Sequence, residues 1–273
     1  MYRPSVWIPG DQLLANHPAL SAVEDKENVQ VVIVESQQRI KKQPYQRKKL
    51  ILLLSAMRHY AEDLRRQGYV VDYVNADTFR AGLKKHINQN ESTDLIMTAA
   101  ATYEGRRFQQ GLEKELEVPI LILPNTQFLV GSYNPIPNPE PEKHYLMETF
   151  YRNMRRHFGF LMAGKEPAGG KWNFDAENRK KLPKNLQPPL PISFLPDAIT
   201  KEVMGEVAVM PNGVGTVDGF DYAVTRTQAL SAFQDFLDHR LMLFGDYEDA
   251  LTIRSHVVYH SRLSPYLNLG LLE

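Results

Sequence analysis

Arg155 and Arg156 stand three and four residues after Arg152, and a Lys171-Trp172-Asn173 run follows them on a glycine-rich stretch. Guanidinium and ammonium groups neutralise phosphates, and an indole stacks on a base. The set therefore suits an anionic polymer with stacking bases. From Lys143 to Lys184, ten Lys/Arg stand against four Asp/Glu, whereas the whole chain carries 32 of each, so the excess is local. The plainer account of the same residues is a solvated connector whose Trp172 packs back on its own domain, and composition alone favours it. Met147, Phe150, Tyr151, Met154, Phe158 and Leu161 recur at helical spacing and predict one apolar stripe, with the arginines on another face. Gly164 is expected to end that helix. Pro167, Gly169 and Gly170 then force an irregular path that carries Lys171 to Asp175 exposed.

Other kinds of chemistry are poorly represented. No GxGxxG follows the first strand-like segment, and no GxxxxGK followed by Ser or Thr occurs, so an ordinary dinucleotide or P-loop site is not expected. No convincing triad, HExxH or carboxylate pair is found, and no residue is assigned a catalytic or metal-binding role. The chain has no cysteine, which excludes disulfides, thiolate zinc sites and iron–sulfur clusters within it and fits a cytoplasmic protein. No apolar run reaches membrane-spanning length, and no signal peptide is expected ahead of the first strand.

The 273 residues suffice for two modest domains or one large one. Strands are predicted at Ser5–Ile8, Val29–Val34, Tyr69–Asn75, Asp94–Thr98 and Pro119–Leu123. Helices are predicted at Leu50–Gln67 (closed by Gly68), from an Asp77 or Thr78 cap to Ile87, and at Glu104–Leu116. Near-continuous apolar strands alternating with helices imply a Rossmann-like α/β domain with a five-stranded parallel sheet buried on both faces. Ligands in such sheets bind beyond the carboxyl ends of the strands, which points to Gly10-Asp11 and Glu35-Ser36. Turn chemistry and helix capping account for Asp11 and Glu35 equally well.

The second half reads differently. Pro135, Pro137, Pro139 and Pro141 mark a linker, and Lys165–Asp221 reads as mostly irregular. Thr225-x-x-Gln228 is a capping-box pattern opening a helix with Leu230, Phe233, Leu237, Leu241 and Phe244 on one side, ended by Gly245. Asp246–Ile253 reads as a short helix or turn. The expected domains are 1–133, an α/β antenna-type domain; 134–224, an interdomain helix and irregular linker; and 225–273, the start of a helical domain. The apolar last residues suggest a chain broken inside that domain.

The run His260-Ser261-Arg262-Leu263-Ser264-Pro265-Tyr266-Leu267-Asn268-Leu269-Gly270 resembles the flavin-contacting segment of photolyases and cryptochromes, with His260 where that segment has Thr. With Met147 to Arg155, Gly169-Gly170-Lys171-Trp172-Asn173-Phe174-Asp175 and Ser55-Ala56-Met57-Arg58-His59, the chain resembles the deoxyribodipyrimidine photolyase-related proteins. The resemblance implies a parallel antenna domain, a long interdomain segment and an all-α FAD-binding domain. It implies FAD contacts from His260, Ser261, Leu263, Ser264 and Asn268. It also implies a ribityllumazine-type antenna beside Asp11, Glu35, Tyr45, Lys48 and Leu53, and a 4Fe-4S cluster whose cysteines would lie downstream of this chain. Where many members place an acid and a His pair after the second strand, this chain has Arg39 and Tyr45-Gln46. Leu53 as plain core is the competing account.

The function implied is the N-terminal part of a light-driven DNA repair enzyme acting on pyrimidine photoproducts of the six-four type. DNA would meet Arg152, Arg155, Arg156, Lys171, Trp172 and Asn173. The alternatives are a blue-light photoreceptor on the same scaffold, and a stand-alone nucleotide- or flavin-binding domain. A monomer without membrane association is expected.

Overall fold

The computed structural model describes residues 3–140 and 142–273, so the predicted linker proline at 141 lies outside the described residues. The chain forms two compact units: Met1–Gln127 with Pro191–Asp235 and Arg262–Glu273, and Phe128–Leu190 with Phe236–Ser261.

The first unit is built on β1 (Pro4–Trp7), β2 (Gln30–Ser36), β3 (Val70–Ala76), β4 (Asp94–Thr98) and β5 (Ile120–Leu123), paired in parallel in the order β3-β2-β1-β4-β5. The early helices are α1 (Pro18–Ser21), α2 (Gln37–Lys41), α3 (Arg47–Arg66), α4 (Phe79–Asn90) and α5 (Tyr103–Leu116). The five-stranded parallel sheet is the one expected. Caps explain where its helices start: Thr78 Oγ1 accepts from Ala81 N (3.0 Å) and Thr102 Oγ1 from Gly105 N (3.1 Å). Gly68 follows α3 at φ +92°, a left-handed turn that favours glycine.

Burial on both faces holds for β1 and β2 and for most of β4, but not for the edge strands, where Val70, Leu121 and Ile122 are exposed. One core packs Trp7, Val32, Val34, Leu83, Met97 and Leu112 between the sheet and α4 and α5, with Trp7, Phe79 and Phe108 meeting at 5.8–6.1 Å between ring centres. Each such apolar side chain contributes about 1.5–3 kcal/mol on burial. Beneath this core lies a serine–histidine–aspartate array. Ser5 Oγ is 3.0 Å from His86 Nε2, and His86 Nδ1 is 2.8 Å from Asp72 Oδ2. Ser5 and His86 are fully buried, so no substrate reaches them and the array ties β1, β3 and α4 together.

In the second unit, α6 (Met147–Phe158) ends at Gly159 (φ +69°) and not at Gly164, which lies between the short strands β6 (Met162–Ala163) and β7 (Glu166–Pro167). The predicted apolar stripe is also corrected. Met147, Tyr151 and Leu161 are exposed, and the buried residue of α6 is Arg155. The stretch read as irregular contains α7 (Ala198–Ala208) in the first unit, capped by Asp197 Oδ1 accepting from Thr200 N (2.9 Å). Within α8 (Arg226–His239), Leu230 and Phe233 are exposed and the smaller Ala229 and Ala232 turn inward with Phe236. Its capping box is half as expected: Thr225 Oγ1 accepts from Gln228 N, while Gln228 Oε1 accepts from Val224 N. The chain breaks at Arg240, which turns into the interior, and Gly245 sits inside α9 (Leu241–Tyr247). The last helix is α10 (Ser264–Leu269).

His17, just before α1, is 1% exposed, and neither ring nitrogen has a hydrogen-bond partner. Burial pushes its pKa down from 6.5 to about 4. The unfolded chain binds that proton at a higher pH than the native one. Stability is therefore unaffected above 6.5 and is lost as pH falls from 6.5 towards 4, by up to about 3 kcal/mol. Urea unfolding between pH 7 and 4 is expected to show this decline, and His17→Leu to remove that part of it. An unchanged pH dependence in His17→Leu would show that other groups carry it.

Candidate functional site

β1 pairs with β2 on one side and with β4 on the other, so the topological switch lies beyond the end of β1. The turn there is bonded tightly. Gln12 Nε2 donates to Ala99 O (3.0 Å) and Asn125 Nδ2 to the same carbonyl (2.9 Å). A side chain at Gly10 would fall 2.6 Å from Met57 Sδ and 3.1 Å from Leu53 Cδ1, so these two residues fill the space beside it. Leu53 is half-buried and reaches the predicted crevice, but as its occupant. Asp11 is open to solvent on its outer side. The chain crowding its carboxyl still raises the pKa by desolvation, with Arg39 opposing the rise.

Glu35 is used elsewhere. It is 2% exposed, accepts from Tyr73 Oη (2.9 Å) and lies 3.4 Å from Arg58 Nη2. Desolvation first, and then Glu35, push the Tyr73 hydroxyl far above its ordinary range. Arg58 also forms a fork onto Glu206 at 2.9 and 2.6 Å and thereby fixes α7 against α3. Burial pulls the guanidinium pKa down, but Glu206 and Glu35 outweigh it and leave it above the usual value. Ser36, not Glu35, is the capping residue, accepting from Arg39 N at 3.3 Å.

Tyr45 and Lys48 belong to a clamp on the glycine-rich loop after α7. Val214 N donates to Tyr45 O (2.9 Å) and Lys48 Nζ to Gly219 O (2.9 Å); Arg47 reaches Gly215 O (2.8 Å) and Met210 O (3.0 Å). The space between Tyr45, Leu50 and Met210 is about 20 Å³, room for a water and not for a ring. The structure thus brings Tyr45 and Lys48 together, sets Leu53 beside Gly10, and separates Glu35 from both. A flat chromophore fits beside Asp11 only if Leu53 and the unbranched, adaptable Met57 give way.

The predicted flavin run divides between the units. His260 and Ser261 belong to the second, Leu263, Ser264 and Asn268 to the first. Leu263 is buried, Ser264 and Asn268 are exposed, and the Asn268 amide donates to Ser264 O (2.8 Å). α10 is bonded to the turns after β1 and β5: Leu13 N donates to Leu269 O (2.8 Å) and Gln127 Nε2 to Leu267 O (2.8 Å). The residues present would supply part of a flavin phosphate support.

In the second unit, Trp172 is half-buried beneath three guanidinium groups, with Arg152, Arg155 and Arg156 at 5.3, 5.3 and 4.6 Å from its ring centre. Arg155 is not free to meet a phosphate. It donates to Phe160 O (3.2 Å), Tyr151 Oη (3.2 Å), Trp172 O (3.3 Å) and Leu161 O, and it holds Leu161 in a left-handed conformation at φ +52°. Glu148 Oε1 accepts from Arg152 Nε (2.8 Å) and Asn173 Nδ2 (3.3 Å), tying the loop to the helix. Lys171 pairs with Glu177 at 2.8 Å on the surface, and Arg156 is exposed. Among the described residues, no group of three or more His, Cys, Asp or Glu could hold a metal, and no helix is long and apolar enough to cross a membrane.

Arg155→Met removes a buried charge and strands the carbonyls it serves. It is expected to cost the second unit about 1.5–3 kcal/mol, against less than about 1 kcal/mol for Arg156→Ala. Thermal unfolding of both variants checks the assignment, and equal, small losses would refute the structural role of Arg155.

Residues 6–222 match the family model described as deoxyribodipyrimidine photo-lyase-related protein. A (6-4) photolyase of Agrobacterium fabrum is 37% identical, with 98% of this chain and 54% of that protein covered. An uncharacterized protein of Acanthamoeba polyphaga mimivirus is 27% identical, with 50% of this chain and 73% of that protein covered. The crystal structure of a bacterial class III photolyase from Agrobacterium tumefaciens aligns at a TM-score of 0.57 with 15% identity, over 100% of this chain and 51% of that one, a likeness of fold. The chain thus spans about half the length of both Agrobacterium proteins. The family match covers the parallel sheet, the arginine-caged loop and α7, and the chain belongs to the deoxyribodipyrimidine photo-lyase-related protein family.

Proposed function

We propose that this chain is the N-terminal part of a light-driven flavin enzyme that repairs pyrimidine photoproducts of the six-four type in DNA. The observation that carries this reading is the 37% identity to a (6-4) photolyase along 98% of the chain. In that reading, residues 1–133 form the antenna-type domain, 134–224 the interdomain segment, and 225–273 the first part of a flavin-binding domain. Bound reduced flavin supplies an electron to a lesion taken out of the base stack. Residues of this chain contribute Ser264 and Asn268 to the flavin support and position the antenna. The chain has no cysteine, so an iron–sulfur cluster would be held by residues outside it.

For the antenna, the reading assigns a ribityllumazine-type ring to the space beside Asp11, with Leu53 and Met57 displaced and Tyr45 nearby. Glu35 then acts beneath the site, fixing Tyr73 and Arg58. Leu53→Trp is expected to abolish ribityllumazine binding, followed by fluorescence, while leaving the melting temperature near that of the parent. Undiminished affinity in that variant would remove the ring from this site.

For DNA, the exposed Arg156 and Lys171 are the phosphate-binding groups the geometry leaves available, with Trp172 held beneath them. Arg156→Ala with Lys171→Ala in the full-length protein is expected to weaken binding to six-four DNA. It should also flatten the log–log salt dependence by about one unit for each phosphate left without its cation, while the melting temperature stays the same. The same affinity and slope in the double variant would assign this surface a structural role only.

A further inference from the structure

The loop after β1, α1 and the second half of α3 border a cavity of about 440 Å³ in the first unit, lined by none of the residues considered above for chromophore, flavin or DNA. That size is within the range of small-molecule sites, about 300–1,000 Å³. Its wall includes His17. The backbone carbonyl of His17 accepts from Leu20 N and Ser21 N at 3.0 Å each, but its ring nitrogens bond to nothing in the protein. Buried polar atoms are normally partnered by protein, water or ligand, so this ring asks for an occupant. Held neutral by burial, it offers one N–H donor and one acceptor, the complement of a heterocyclic edge.

The rest of the wall suits a flat ring. Tyr60 and Tyr69 both line the cavity, and the Tyr60 hydroxyl is occupied by Leu14 O at 2.9 Å, which leaves its ring as the contact surface. At the exposed edge stands Lys26, its Nζ 5.1 Å from the Tyr69 ring centre and without a carboxylate partner among the described residues. We propose that this cavity is a mononucleotide site, with the base hydrogen-bonded to His17 against the tyrosine rings and the phosphate met by Lys26. The site is separate from the proposed antenna site and does not depend on it.

The test is calorimetric titration of the 273-residue chain with AMP, together with the AMP-induced shift in melting temperature. AMP is expected to bind and to raise the melting temperature. His17→Leu loses no internal hydrogen bond, so it should fold normally and bind AMP at least tenfold more weakly. Ser21→Trp, at an exposed position on the wall, should block entry, and Lys26→Ala should bring AMP down to the affinity of adenosine. Leu53→Trp should leave AMP binding unchanged. Absence of binding at millimolar AMP, or undiminished binding in both His17→Leu and Ser21→Trp, would overturn the proposal. So would loss of binding in Leu53→Trp but not in Ser21→Trp, since that places the ligand in the antenna crevice. If His17→Leu does not fold, Ser21→Trp decides alone.

Discussion

The first unit depends on β1 being paired along both edges. It is only four residues long, yet it bonds β2 on one side and β4 on the other, and all four of its residues are buried. Parallel neighbours need crossover helices, and those helices must lie on the faces of the sheet because a strand buried on both sides cannot meet water. From this follow the positions of α3 and α4, and the opening of the switch point beyond Trp7. The turn after β1 then carries much of what is interesting in this unit: Gly10 against Leu53 and Met57, Gln12 on Ala99, Leu13 on α10, and His17 in the wall of a cavity.

A second theme is that charged residues do internal work. Arg58 joins Glu35 and Glu206, and so links a strand end to α7. Arg155 is surrounded by carbonyls rather than carboxylates, which suits a cation at a helix C-terminus, where the helix dipole is negative. Arg47 satisfies three carbonyls of one loop. Removing one partner from a buried charged group costs more than the interaction itself contributes, because the other partner is left without solvation. The basic residues that remain at the surface, Arg156 and Lys171 among them, are the ones available to a polyanion.

Much of the first unit is legible in the sequence. The strands at Asp94–Thr98 and Tyr69–Asn75, the Thr78 cap and the Gly68 stop each rest on a local rule, and each is found within a residue or two. α7 escapes that reading although Asp197-x-x-Thr200 ahead of Val203 and Val207 is a capping signal followed by apolar spacing. The proline- and glycine-rich flanks mask it. Gly164 and Gly245 read as helix stops because glycine commonly ends helices. The actual ends are at Gly159, where Arg155 draws in the following carbonyls, and at Arg240, which turns inward.

Sequence by itself determined the period and polarity of the elements, because those depend on neighbours one to four residues away. That was enough for a parallel α/β sheet, a locally basic segment and the motifs shared with a photolyase-related family. Tertiary structure decided which side chains the fold would use for itself. Glu35 and Arg155 read as ligand contacts in the sequence, and only residues far along the chain, such as Tyr73 and Trp172, show them committed to internal bonds. The Ser5–His86–Asp72 array is equally invisible there, since its members come from three separate elements. Burial is a property of the folded surroundings, and a charge or an imidazole means something different once the water around it has gone.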